Sequence, residues 1–333
     1  MPATALRTAL ALFLTILMLA AGGPAFAQGG AVNPTASSVK EKQLLDALKP
    51  GAGPAAIDGR VSIPDKRSGN LIRPEGRDWR VQHQSQVPRL GMIAILGMLA
   101  AVTLFYFVRG KVKIESGRSG RAVVRFGFLD RFGHWLTALS FIALALSGLN
   151  LTFGKSIVLP IVGPEAFASL TQAGKSVHNY GGFAFTAGLI LIFLLWVKDN
   201  FPHPRDIVWL AKGGGLMGFH VNAARFNAGQ KIIFWAVILG GAGLAFTGFS
   251  LMFGTTDLAG LQWYTILHGL IAVILTAVIV AHIYIGSVGM EGAFEAMGSG
   301  KVDENWAKEH HSIWVDQMAA KSAKPAGKVA PAE

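Results

Sequence analysis

The sequence predicts an all-α membrane protein: a four-helix transmembrane bundle with one extra transmembrane helix on its N-terminal side. Three observations lead there. Five uncharged apolar stretches, at about 90–108, 132–152, 177–197, 232–253 and 263–288, each approach the ~20 residues that a helix needs to cross hydrocarbon. Only 15% of the 333 residues are charged and 52% are hydrophobic, against ~25% charged in soluble domains. The stretches between the apolar runs also alternate in basic content, as the loops of a multi-pass protein do.

Taken in order, residues 1–27 have the form of a secretory signal peptide. Arg7 supplies the positive start, Ala9 to Ala21 a short apolar core, and Ala25-Phe26-Ala27 a small-x-small cleavage site. The rival is an uncleaved anchor, for which that core is short. Residues 28–89 form a polar exported segment in which only Ser38 to Leu48 has helical periodicity. The extra helix at 90–108 follows. The loop 109–131 carries seven Lys/Arg and 198–231 carries five, whereas 151–175 carries two and 253–262 none. The positive-inside rule places the two basic loops and the tail 289–333 in the cytoplasm and the N-terminal segment in the periplasm, with a bacterial inner membrane between. The four-helix domain proper is 132–288.

Composition also excludes several functions. Cysteine is absent, so the chain holds no iron–sulfur cluster, no c-type haem attachment and no disulfide. Any haem is bound non-covalently, by His or Met. The net charge of +11 is spread over loops between apolar spans, which indicates topology rather than nucleic acid.

The histidines carry the chemistry. His268 and His282 lie fourteen residues apart in a stretch, Trp263 to Val288, without a charged side chain. On a helix that spacing is ~21 Å and returns to within ~40° of one face. Intramembrane ionisable residues face a bundle interior and mark function. Topology gives each a partner: His134, where the second span enters from the cytoplasm, matches His282, and His178, where the third span enters from outside, matches His268. Two histidine pairs at two depths are what two haem b groups need as axial ligands. A lone histidine at a helix end is more often interfacial; the pairing argues otherwise. His83, His203, His220, His310 and His311 fall in exported, loop or tail positions and are expected not to be ligands.

Arg225-Phe226-Asn227-Ala228-Gly229-Gln230-Lys231 leads into the fourth span at the depth of His282. A quinone needs an apolar slot and donors to its carbonyl oxygens. Asn227, Gly229 and Gln230, with His282 nearby, suit that. An N-cap at Asn227 with Gln230 closing a capping box explains the same residues, and both roles are compatible.

Arg131-Phe132-Gly133-His134-Trp135, His178, the Phe226 to Lys231 motif, the His268/His282 helix, and the run Gly300-Lys301-Val302 through Trp306-Ala307-Lys308-Glu309-His310-His311 resemble the cytochrome b (gamma) subunit of membrane-bound respiratory formate dehydrogenase. The resemblance covers about residues 120–315. It implies that His134 and His282 ligate an inner haem b and His178 and His268 an outer one. Asn227, Gly229 and Gln230 would line a menaquinone or ubiquinone pocket beside His282. It implies electrons arriving from a molybdenum or tungsten catalytic (alpha) subunit through an iron–sulfur (beta) subunit in anaerobic respiration, with no formate chemistry on this chain. The histidines alone also fit the cytochrome b of nickel–iron hydrogenase or another respiratory oxidoreductase. A proton-coupled transporter would need carboxylates within the spans, and neither Leu90 to Val108 nor Ile232 to Phe253 contains one.

Overall fold

The computed structural model describes residues 74–215 and 221–323, and side chains from Asp78 to Lys321 within them. The signal peptide, the exported segment up to residue 73 with its 38–48 periodicity, and His220 lie outside the described residues. From Trp79 the described chain forms one compact unit.

Five helices are long and apolar enough to span a membrane: Asp78–Arg109, Phe128–Ile157, Pro164–Asp199, Ala228–Phe253 and Leu258–Gly289. The first comprises the end of α1 (Pro74–Val81), a π-helical turn at Gln82–Gln86, and α2 (Val87–Arg109). It begins well before the apolar run at 90–108, because a helix continues through polar residues when its apolar part is anchored. The others are α3 (Phe128–Ile157), α4 (Pro164–Trp196), α6 (Ala228–Phe253) and α7 (Leu258–Tyr284), with the short α5 (Pro204–Ala211) between α4 and α6. For the same reason α4 starts earlier than the predicted 177, so His178 lies about four turns inside it.

Local signals set the helix ends. The Asp130 carboxylate accepts from the Gly127 N–H at 3.0 Å at the start of α3. Asp257 accepts from the Gly260 N–H at 2.9 Å at the start of α7. Gly254 closes α6 at φ 61°, a left-handed conformation that costs glycine little.

Lipid supplies no hydrophobic force between helices, so close contact depends on small residues. A Cβ on Gly188 of α4 would stand 2.9 Å from the Thr137 backbone nitrogen of α3. The extra helix interlocks with α7 reciprocally: a Cβ on Gly91 would meet Val273 at 2.6 Å, and one on Gly269 would meet Val87 at 2.9 Å. Buried hydroxyls turn back on their own helices, Thr137 donating to Gly133 O at 2.8 Å and Ser140 to Leu136 O at 2.6 Å, as a medium without water requires.

One end of the bundle is capped. β1 (Ala122–Val124) pairs antiparallel with β2 (Lys301–Asp303), Val123 opposite Val302, and α8 (Glu304–Ala323) follows. The segment 109–131, expected as a loop, and the described part of the expected tail 289–333, up to residue 323, thus fold together. The Asp303 carboxylate binds the Ser119 and Gly120 N–H groups, the Ser119 hydroxyl and the Asn305 N–H at 2.9–3.2 Å. Burial pushes its pKa up, but these donors outweigh burial and hold it below the usual carboxylate value. Phe126, Trp196, Phe226, Trp306 and Trp314 fill the cap.

Arg125 is enclosed there. Its guanidinium lies 5.0–5.4 Å from the ring centres of Phe126, Trp306 and Trp314 and donates to Arg225 O at 2.8 Å. Burial, then the like charge of Arg225, pulls its pKa down to about 9. Burial and Arg125 also hold His311 well below the ordinary histidine value. Neutral His311 therefore donates from Nδ1 to Ala224 O at 2.8 Å and accepts from Arg125 Nη2 at 2.9 Å.

Candidate functional site

The fold brings the four expected histidines together in two pairs. His134 of α3 and His282 of α7 have ring centres 6.1 Å apart with planes at 57°. His178 of α4 and His268 of α7 have ring centres 6.0 Å apart with planes at 63°. A metal–imidazole bond is ~2 Å and the ring centre lies roughly 1 Å beyond its nitrogen, so two rings on opposite sides of one ion stand about 6 Å apart. Both pairs fit. His134 and His282 lie toward the capped end and the other pair toward the opposite end.

The residues around His134 hold it in place. Arg131 donates to Gly298 O at 2.8 Å and Trp135 to Met297 O at 2.9 Å. The turn of α3 that carries His134 is therefore tied on both sides to the segment just after α7. Nδ1 of His134 is buried without a hydrogen-bond partner.

The second pair is oriented differently. Ser147 of α3 donates its hydroxyl hydrogen to Ala143 O at 2.7 Å, so at 3.0 Å it accepts from His178 Nδ1. Thr247 of α6 donates to Gly243 O at 2.7 Å and accepts from His268 Nδ1 at 2.9 Å. Each ring then carries its proton on Nδ1, leaving Nε2 as the nitrogen with a free lone pair, the arrangement of a ligand histidine. Neighbouring glycines make room: a Cβ on Gly148 would meet His178 Cε1 at 3.4 Å, and one on Gly248 would meet His268 Cε1 at 3.3 Å.

Sequence reasoning missed Ser147 and Thr247, although a signal was present. Leu144-Ala145-Leu146-Ser147-Gly148 reappears as Leu244-Ala245-Phe246-Thr247-Gly248, and both runs continue to a Phe-Gly at 153–154 and 253–254. The two copies face each other across one cavity, whose wall includes Leu144, Gly148, Leu244, Gly248, His178 and His268. His83 lines this cavity too. The sequence places it in the exported segment 28–89, and the early start of the first helix brings it to the cavity wall.

At the capped end, Asn227 and Gln230 form the capping box. Asn227 Oδ1 accepts from the Gln230 N–H at 3.0 Å, and Gln230 Oε1 accepts from the Asn227 N–H at 3.1 Å. Both oxygens are thereby committed, and the two amide NH₂ groups make no hydrogen bond among the described residues. Gly229 has a packing reason, since a Cβ there would meet the Trp209 ring at 3.0 Å. Lys231 anchors α5 through Asp206 at 2.8 Å and Phe201 O at 3.0 Å. Arg225 binds Asp199 at 2.8 Å and Asp130 at 3.0 Å, a network absent from the sequence reasoning because its members are far apart in the chain.

The remaining histidines have structural roles. His203 caps α5, accepting at Nδ1 from the Arg205 N–H at 3.2 Å. His310 and His311 pack on the Trp306 ring at 5.1 and 5.4 Å.

The prokaryotic cytochrome b561 family model matches residues 125–300, the stretch that holds all four paired histidines. The chain belongs to that family. As a member of the cytochrome b561 family it is a multi-pass, all-helical membrane protein that binds haem b. It is similar to the formate dehydrogenase, nitrate-inducible, cytochrome b556(Fdn) subunit of Escherichia coli strain K12, 28% identical over 215 residues, 61% of this chain and 95% of that protein. Similarity to the formate dehydrogenase cytochrome b556(fdo) subunit of the same strain is 30% over 214 residues, 61% of this chain and 97% of that protein. The formate dehydrogenase cytochrome b556 subunit of Haemophilus influenzae is 28% identical over 220 residues, 61% of this chain and 85% of that protein. The resemblance drawn from the motifs is borne out. The cytochrome b561 match begins after α2, so the first membrane helix lies outside it.

Proposed function

We propose that this chain is the membrane cytochrome b subunit of a formate dehydrogenase, carrying electrons from an iron–sulfur partner to a quinone by way of two b haems. The observation that carries the proposal is the pairing of four histidines at ring separations of 6.1 and 6.0 Å in a chain similar to formate dehydrogenase cytochromes. His134 and His282 hold one haem, and His178 and His268 the other. The catalytic molybdenum or tungsten subunit and the iron–sulfur subunit are the partners, because a chain without cysteine receives electrons only from outside. Orientation follows the basic loops: capped end cytoplasmic, opposite end periplasmic, in a bacterial inner membrane.

Haem ligated by two imidazoles supplies one-electron transfer. The chain's residues do the rest. Ser147 and Thr247 hold the protons of His178 and His268 on Nδ1 and make both imidazoles more basic ligands. Ser147→Ala combined with Thr247→Val is expected to retain full haem content. The ferric/ferrous equilibrium of that one haem should shift about tenfold toward ferrous, ~59 mV for one electron. Potentiometric titration reads the shift, and an unchanged potential removes the tuning role.

At the cytoplasmic end, the free NH₂ groups of Asn227 and Gln230 donate to the quinone carbonyl oxygens, and water at that surface supplies the protons taken up on reduction. Asn227→Asp with Gln230→Glu keeps both cap oxygens while removing both donors. This double variant is expected to lose at least tenfold in quinone reduction (~1.4 kcal/mol for two hydrogen bonds) while haem reduction by formate in the intact complex continues. Undiminished quinone reduction would dismiss the pocket.

A further inference from the structure

The cavity between His178 and His268 is built from the four bundle helices and flanked by a fifth, from outside the family match. His83, in the π-helical turn at Gln82–Gln86, and Val87, at the start of α2, both line it. Insertions of this kind in a helix redirect a side chain and are frequent at functional sites. The turn is fixed in place. His83 stacks on Trp79 with ring centres 5.0 Å apart and planes at 14°. Trp79 donates from Nε1 to Gln262 O at 3.0 Å and Thr265 Oγ1 at 2.9 Å, which fastens it to the first turns of α7, less than one turn before His268.

The polar groups in that wall differ in what they leave free. Thr265 donates its hydroxyl to Gln262 O at 2.7 Å, and Thr152 donates to Gly148 O at 3.0 Å. His83 Nδ1, by contrast, is buried and makes no hydrogen bond. With no acceptor in reach, buried Nδ1 keeps its lone pair and the ring proton sits on Nε2, the nitrogen of this cavity-lining ring that remains open to a partner. The periphery of haem b is hydrocarbon except for its propionate carboxylates, acceptors that need a donor when they leave water.

We propose that His83 donates a hydrogen bond to a propionate of the haem held by His178 and His268, so that the additional N-terminal helix completes that haem's site. This rests on the assignment of His178 and His268 as ligands. Removing the donor leaves the carboxylate more negative, which favours ferric iron. The effect is confined to one haem, because the His134–His282 pair lies a full ~21 Å helix segment away along α7.

The test uses the full chain purified with its haems. His83→Phe keeps an aromatic ring to stack on Trp79 and removes the donor, while His83→Gln restores one. His178→Ala, which lacks the haem concerned, identifies its spectrum. In His83→Phe that haem's equilibrium is expected to shift about threefold toward ferric, ~28 mV for one electron. The other haem should stay unchanged, and His83→Gln should recover most of the shift. A carboxylate band in the redox-difference infrared spectrum should move in His83→Phe. An unaltered potential and infrared spectrum in His83→Phe with both haems bound overturns the proposal, as does an equal shift of both haems. If His178→Ala retains both haems, the ligand assignment itself fails, and this proposal with it.

Discussion

His178→Ala and His268→Ala are each expected to bind half the haem of the native protein, with the spectrum of the remaining haem preserved. The two imidazoles face each other 6.0 Å apart, and under the proposed assignment they would hold one iron, so loss of either would end bis-histidine ligation at that level. The other pair shares only α7 with this one. His134 is set by the Arg131 and Trp135 bonds to the carbonyls of 297–298, which no change at His178 touches. Electron transfer from formate to quinone should fall below detection in both variants, because the gap along α7 to the remaining haem is then unbridged. Haem content by pyridine haemochrome and a single residual low-spin signal are the measurements. Full haem content in either variant would refute the assignment. A protein devoid of haem would instead show that the two sites are not independent.

Asp130→Ala is expected to destabilise the capped end by about 2 kcal/mol, below the range for breaking a fully buried charge pair, because the Asp130 and Arg225 side chains are partly exposed. The Asp130 carboxylate accepts from Trp196 Nε1 at 2.6 Å, Arg225 Nη2 at 3.0 Å and the Gly127 N–H at 3.0 Å. Without it Arg225 keeps Asp199, which limits the loss, but its charge then faces Arg125 less compensated. Arg225 stands two residues before Asn227, so the register of the capping box depends on it. Thermal unfolding followed by circular dichroism should show the loss, and quinone reduction should drop with haem content unchanged. Asp130→Asn retains an acceptor and should lose about 1 kcal/mol. A melting temperature for Asp130→Ala equal to the native one would show that the network holds nothing.

The membrane character, the number of spans and the pairing of His134 with His282 and His178 with His268 were legible from the chain. Each rests on one-dimensional quantities. Hydrocarbon thickness sets span length, loop charge sets alternation, and helical pitch sets the depth of a residue. Asn227 and Gln230 were readable as a capping box for a similar reason, because a cap is made within four residues. The positions of Ser147 and Thr247 were half legible. The repeated Leu-Ala-x-Ser/Thr-Gly run is visible in the sequence, but its bearing on histidines in other helices is not.

Helix starts were misplaced wherever polar residues preceded an apolar run. Hydropathy marks where a helix enters lipid, not where it begins, and this is why the contact of His83 with the bundle was not legible. The sequence by itself thus determined a five-span, cysteine-free membrane protein with histidines at two levels, because those features depend only on local composition and period. Only the tertiary structure decided which nitrogen of His178 and His268 stays free and that Arg125 is enclosed by aromatic rings. It alone brought residues 109–131 onto 301–323 as a cap, and His83 to the wall of a cavity that the family match does not extend to. Those are contacts between residues far apart in the chain, made when helices pack, and no periodicity along the sequence encodes them.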